Sequence, residues 1–142
     1  MILLQYPVEM FVTVVLAVFD PGKQTLQYAN AGHNPPIIRR APGTCELLNP
    51  TGAAIGLFDE LALQEETIKI GNGDAIVMYT DGVTEARNRH RDMYGQDRLL
   101  AAVAAAPRQA SELLAHVEAE LSAFTQGTQQ SDDIALLTLT RD

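Results

Sequence analysis

Two short acidic stretches carry the residues best able to do chemistry. Thr80-Asp81-Gly82 closes an apolar run, Ala75 to Tyr79, and Ser131-Asp132-Asp133 opens another, Ile134 to Thr140. A carboxylate at the mouth of a buried strand, with a glycine behind it that lets the backbone turn sharply, is well placed to hold a hard cation. Each stretch has an ordinary alternative. Asp-Gly is a common turn, and an acidic pair ahead of a strand is commonly a solvated loop. The occurrence of both, each at the end of an apolar strand, raises metal binding above two unrelated turns.

The elements that must position these aspartates follow from the apolar pattern. Ala75 to Tyr79 shows no polar alternation and reads as a strand buried on both faces. Phe11 to Phe19, β-branched and aromatic almost throughout, reads as a second central strand covered on both faces. Asp20-Pro21-Gly22-Lys23 predicts a turn, with Thr25 to Ala31 the return strand of a hairpin. Gly32-His33-Asn34-Pro35-Pro36 ends it, because proline cannot donate to a ladder. A shorter hairpin is expected from Ile37 to Arg40 and Cys45 to Asn49, around Ala41-Pro42-Gly43-Thr44. Leu63 to Ile70 alternates as a half-exposed edge strand, and Asn72-Gly73 is a hairpin signal leading into the buried run.

Beyond Asp81 the pattern becomes helical. Asp97 to Ala106 places Leu99, Leu100 and Val103 at helical spacing, and Pro107 stops it. Gln109 to Gln126 predicts a longer amphipathic helix, its apolar stripe formed by Leu113, Leu114, Val117, Leu121 and Phe124, with Gly127 as terminator. Strands, then two helices, then one more strand point to an α+β fold with antiparallel sheet. Two helices cover only one face of a sheet, so strands buried on both faces require a second sheet as well.

Composition narrows the function classes. A chain of 142 residues with 46% hydrophobic residues is expected to form a single domain with a real core. Eighteen acidic against ten basic residues give a net charge of -8. That argues against nucleic acid and against an anionic membrane surface as partners. Cys45 is the only cysteine, so no internal disulfide and no multi-thiolate metal site is available, and a reducing, cytoplasmic setting fits. The start, Met1-Ile2-Leu3-Leu4, lacks a basic segment and meets Pro7 and Glu9 early, unlike a signal peptide. No apolar stretch is long enough to span a bilayer.

Several motifs occur in one order: Met10-Phe11-Val12-Thr13, Tyr28-Ala29-Asn30-Ala31-Gly32-His33-Asn34-Pro35-Pro36, Gly52-Ala53-Ala54-Ile55-Gly56-Leu57, Gly73-Asp74, Tyr79-Thr80-Asp81-Gly82-Val83-Thr84-Glu85-Ala86 and Ser131-Asp132-Asp133-Ile134. Each is weak alone; the ordered set is specific. From Met10 to Thr140 the chain resembles the later part of a SpoIIE-type protein phosphatase domain, a bacterial branch of the metal-dependent type 2C (PPM) serine/threonine phosphatases. The resemblance implies a β-sandwich of two antiparallel sheets flanked by helices, incomplete at the N-terminus. It implies a binuclear Mn²⁺ or Mg²⁺ site for hydrolysis of phosphoserine or phosphothreonine. Asp81 and Asp132 would be direct ligands with catalytic roles, and Gly82 and Asp133 would support them. The substrate implied is a phosphorylated regulatory protein, often an anti-sigma-factor antagonist in a partner-switching pathway.

One departure bears on activity. The family's other metal ligands come from an earlier segment with Asp-Gly, Gly-Asp and Gly-His-Gly, and nothing before Met10 plays that part. Two aspartates do not complete a binuclear site, so the chain is expected to be the C-terminal portion of the domain. Uncovered sheet surface would then favour self-association.

Other residues invite weaker readings. His33 matches the family's Gly-His and is a possible substrate contact, although a turn histidine satisfied by its own loop is the commoner case. Arg87, in a basic cluster with Arg89, His90 and Arg91, is a second possible contact for phosphate or carboxylate, against the plain alternative of a solvated loop. Cys45 has no activating neighbour in sequence and is not read as a nucleophile. Three functions follow: a metal-dependent phosphatase, a catalytically inactive domain serving as a protein-binding module, or a structural remnant.

Overall fold

A computed structural model describes residues 10–41 and 43–142. The start of the chain, with Pro7 and Glu9, and Pro42 of the 41–44 turn lie outside the described residues. The chain divides into two compact units, residues 1–35 with 48–70, and residues 36–47 with 71–142.

The first unit is built on a three-stranded antiparallel sheet in the order β1-β2-β5, with β1 Val14–Asp20, β2 Thr25–Ala31 and β5 Glu66–Lys69. The β1–β2 hairpin forms as the turn chemistry predicts: Asp20 Oδ1 accepts the N–H groups of Gly22 and Lys23 at 2.9 and 3.0 Å. β5 is an edge strand, again as expected. The loops are gathered by one buried amide. Asn30 donates from Nδ2 to the carbonyls of His33 and Leu48, at 3.1 and 3.2 Å, and accepts the His33 N–H at 2.8 Å. A buried amide with its hydrogen bonds made fixes loop geometry instead of weakening the core. On the neighbouring register position the Tyr28 hydroxyl donates to Glu66 at 2.7 Å, and burial together with that partner pushes its pKa up to about 12.

The apolar run from Phe11 to Phe19 departs from expectation. It becomes a strand only at Val14, pairs with β2 and, ahead of the strand, through a single bridge from Val12 to Ile55, and leaves Leu16 and Val18 67% and 60% exposed. Composition records what a strand is able to bury; it does not supply the neighbour that buries it.

The second unit holds a four-stranded antiparallel sheet ordered β4-β3-β6-β7, from β3 Ile37–Arg39, β4 Cys45–Leu47, β6 Ala75–Tyr79 and β7 Leu136–Thr140. β6 lies inside the sheet and is buried along nearly its whole length, as its uniform apolar sequence predicts. β5 and β6 belong to different sheets, so Asn72-Gly73 does not close a hairpin between them. It turns the chain from one ladder into the other, its glycine N–H donating to the Arg141 carbonyl at 2.6 Å.

Three helices follow β6: a single turn α1 Asp81–Thr84, then α2 Gly95–Ala105 and α3 Ala110–Phe124. Leu99 and Val103 of α2 and Leu113, Val117 and Leu121 of α3 pack with Ile37, Val77 and Tyr79 of the sheet. The predicted stripe is therefore the buried one, and Glu112, Glu118 and Glu120 are exposed. A buried arginine fastens α2 to the sheet. Arg39 Nη1 donates to the carbonyls of Val103, Ala106 and Pro107, at 3.3, 2.8 and 3.0 Å. They lie at and just past the end of α2, where helical N–H donors run out, and burial lowers the Arg39 pKa from its ordinary value.

Candidate metal centre

Asp81 begins α1 and Glu85 ends it, the Glu85 N–H donating to the Asp81 carbonyl at 2.8 Å. A spacing of four residues on one helical turn puts both side chains on the same side. Asp132 approaches from the segment ahead of β7. Carboxylate oxygens of Asp81, Glu85 and Asp132 all lie within 4.8 Å of one another, and all three residues are exposed.

Two devices hold the segments together. The Thr80 hydroxyl donates to the Asp133 carbonyl at 3.2 Å and accepts the Ala135 N–H at 3.0 Å. The Thr80 N–H also donates to the Ala135 carbonyl at 3.1 Å, extending the β6–β7 ladder to the foot of the site. Gly82 is buried against that crossing: a Cβ there would be driven into the Asp133 carbonyl. The glycine predicted for a sharp turn is thus required for close approach of two backbones.

On the far side, α3 is stapled to the loop that follows α1. Arg89 Nε donates to the Gln126 carbonyl at 3.0 Å, and the Thr128 hydroxyl donates to the Arg87 carbonyl at 2.9 Å. Gly127 turns the chain there with a φ of +74°. Gln130 Nε2 donates to the Asp132 carbonyl at 2.8 Å, and the Asp133 N–H holds Asp132 Oδ1 at 2.7 Å. The Asp132 carboxylate is therefore oriented by its own neighbour before any ligand arrives.

Asp81 and Asp132 were expected to share a site, and their oxygens converge. Asp133 contributes backbone groups; its side chain is exposed. Arg87 is exposed beside the cluster with Nη1 bonded to the Arg91 carbonyl at 2.8 Å, within a turn organised by Asn88. His33 belongs to the first unit, where its Nδ1 lies 2.9 Å from Thr13 Oγ1 and its N–H is held by Asn30. Glu85 and Thr80 are missing from the predicted set. Glu85 follows Asp81 by one helical turn, a spacing visible only if the Asp-Gly segment is taken as a helix instead of a bare turn. Thr80 shows no sequence signal beyond a hydroxyl at a strand end.

The donor set is three carboxylates, the hard oxygen ligands preferred by Mg²⁺ and Mn²⁺ over softer metals. The residues present fit such an ion.

The sequence profile of the stage II sporulation protein E family matches residues 1–142, the whole chain. The chain belongs to the SpoIIE family. It is 33% identical over 133 residues to Protein IcfG of Synechocystis, a match covering 94% of this chain and 21% of IcfG. It is 32% identical over 75 residues to the phosphoserine phosphatase RsbP of Bacillus subtilis, covering 53% of this chain and 19% of RsbP. The manganese-soaked structure of the SpoIIE phosphatase domain from Bacillus subtilis superposes with a TM-score of 0.71 at 17% identity, covering 92% of this chain and 56% of that one. The fold is the type 2C phosphatase α+β fold, covered in part: two antiparallel sheets with helices. The chain spans about a fifth of the length of these curated relatives and 56% of the solved domain.

Proposed function

We propose that this chain is the later part of one SpoIIE-type phosphatase domain, hydrolysing phosphoserine or phosphothreonine on a regulatory protein. The convergence of the Asp81, Glu85 and Asp132 carboxylates carries the reading. Mn²⁺ or Mg²⁺ bound there supplies Lewis acidity and a coordinated water of lowered pKa. Asp81 and Glu85 provide two oxygens from one helical turn, and Asp132 provides a third from the opposite segment. Gly82 allows that approach, and the Asp133 N–H orients Asp132. Arg87 offers a cation for a phosphoryl or carboxylate group of the substrate. His33, engaged by Thr13, shapes its own loop.

The substrate favoured by family membership is a phosphorylated anti-sigma-factor antagonist in bacterial partner switching, and the setting is cytoplasmic. Among the described residues no helix is long and apolar enough to cross a membrane. The net charge of -8 supports a protein partner over nucleic acid. A second reading is an inactive module that binds the partner protein: among the described residues the carboxylates that converge are three, all of them exposed.

Mn²⁺ titration by calorimetry, paired with Mn²⁺-dependent hydrolysis of an aryl phosphate, separates the two. Saturable Mn²⁺ binding and turnover, both lost in Asp81→Asn, are expected for the enzyme. Binding of Mn²⁺ without turnover supports the module, and no Mn²⁺ binding overturns the metal centre.

A further inference from the structure

Beside the carboxylate cluster, α1, the end of α3 and residues 128–131 enclose a cavity of about 220 Å³. It belongs wholly to the second unit. Ala86 and Leu121 form part of an apolar floor, while Ser122, Gln129 and Ser131 line its polar wall and Arg87 stands among them. Gly82 and Ser131, both lining residues, are the chain neighbours of Asp81 and Asp132, so the cavity adjoins the cluster directly.

The polar wall divides into committed and uncommitted groups. Thr125 donates to the Leu121 carbonyl at 3.0 Å, and Thr128 is spent on the Arg87 carbonyl. Among the described residues no hydrogen bond occupies the side chains of Ser122, Gln129 or Ser131, and Arg87 uses only Nη1. The lining contains one cation and no carboxylate. Uncommitted donors around a single guanidinium are what a small acidic group requires, since charge-assisted hydrogen bonds to carboxylate are the strong ones.

We propose that this cavity is a specificity subsite that takes an acidic side chain, Asp or Glu, next to the phosphorylated residue of a protein substrate. Its position fixes the order of events: the phosphoryl group faces the carboxylate cluster while the flanking side chain enters between α1 and α3. Arg87 pairs with the flanking carboxylate, and Ser122 and Gln129 supply the remaining donors. The inference rests on the reading of the cluster as a phosphatase metal site.

The test uses the full chain with Mn²⁺ and a matched set of fluorescent phosphoserine peptides carrying Glu, Gln, Ala or Lys beside the phosphoserine, with affinity read by anisotropy. The Glu peptide is expected to bind about tenfold more tightly than the Ala peptide, the worth of one charge-assisted hydrogen bond, with Lys weakest. Arg87→Gln removes the cation, and Ser122→Leu fills the cavity from an exposed position. Each is expected to abolish the Glu preference and leave Mn²⁺ affinity unchanged. Equal affinities across the set, a preference for Lys, no binding of any peptide, or a Glu preference that survives both substitutions overturns the subsite. Failure of the metal reading is separately visible: Mn²⁺ would not bind, whatever the peptide order.

Discussion

Glu85 is the residue that separates a metal centre from a chance meeting of two aspartates. It is exposed, and its carboxylate shares with Asp81 and Asp132 only mutual repulsion unless a cation lies between them. Exposed like charges at this distance are unfavourable by a modest amount in water. Glu85→Gln should therefore leave thermal stability unchanged or raise it slightly in the absence of metal. It should weaken Mn²⁺ binding by at least about tenfold, the scale of losing one charged ligand contact. Calorimetric titration and a melting curve on the same variant check both halves. A loss of stability without metal would mean that Glu85 has a structural role.

Thr80 works at the same scale in the opposite sense. One hydroxyl serves as donor to Asp133 and acceptor for Ala135, so Thr80→Val leaves a carbonyl and an N–H without that partner. Each group left unsatisfied costs about 1–3 kcal/mol where it is buried, and less where water reaches it, as it does here. The expected result is a fall in melting temperature together with weaker Mn²⁺ binding, because the same hydroxyl holds the segments bearing Asp81 and Asp132. Unchanged metal affinity in this variant would show that β6 and β7 keep the site in register without it.

At the scale of elements, the decisive contacts are those that fasten helices and strand ends to one another. Asp74, at the start of β6, is the clearest. Burial alone would raise its pKa, but the Gly71 N–H, Arg40 and the Ala41 N–H outweigh it and hold the carboxyl below its usual value. The Arg40 contact is 2.9 Å and the carboxylate is almost fully buried. A carboxyl whose folded pKa lies below its unfolded value contributes stability above the unfolded value, near pH 4, and that contribution is lost as pH falls through the folded one. Asp74→Asn should thus melt lower than the parent at pH 7, with the gap closing steadily below pH 4. A gap independent of pH, followed by differential scanning calorimetry, would show that the charge of Asp74 contributes nothing.

Legibility in the sequence also sorts by element. β6 and the apolar stripe of α3 are readable because the apolar pattern reports burial directly, and both are buried where that pattern says, while β2 is readable from the turn ahead of it. α1 was not, because four residues are too short to show a period. With α1 went Glu85, whose partnership with Asp81 exists only once the turn is helical. The role of Arg39 was equally hidden: three carbonyls at the end of α2 recruit it across more than sixty residues of sequence, and no local pattern encodes that contact.

For the molecule as a whole, the unburied apolar residues set its behaviour in solution. Leu16 and Val18 on β1 and Leu137 and Leu139 on β7 are each at least half exposed, and both strands are sheet edges among the described residues. An edge strand with apolar side chains presents unpaired backbone groups and a surface that gains from leaving water, which is the usual route to strand-to-strand association. Taking a Leu or Val side chain fully out of water is worth about 1.5–3 kcal/mol, so these residues favour association, with strand-to-strand hydrogen bonds adding to a gain that must exceed the cost of lost rigid-body freedom. The chain is therefore expected to be dimeric or larger by multi-angle light scattering at micromolar concentration. Leu16→Lys with Val18→Glu places charge on the β1 edge without touching the buried core, and should shift the population toward monomer while leaving the melting temperature of the second unit and its Mn²⁺ affinity unchanged. The same pair on β7, Leu137→Lys with Leu139→Glu, distinguishes which edge makes the contact. A monomeric parent chain at these concentrations would remove self-association as a property of the fold and leave the exposed strands as surfaces that some other protein segment covers.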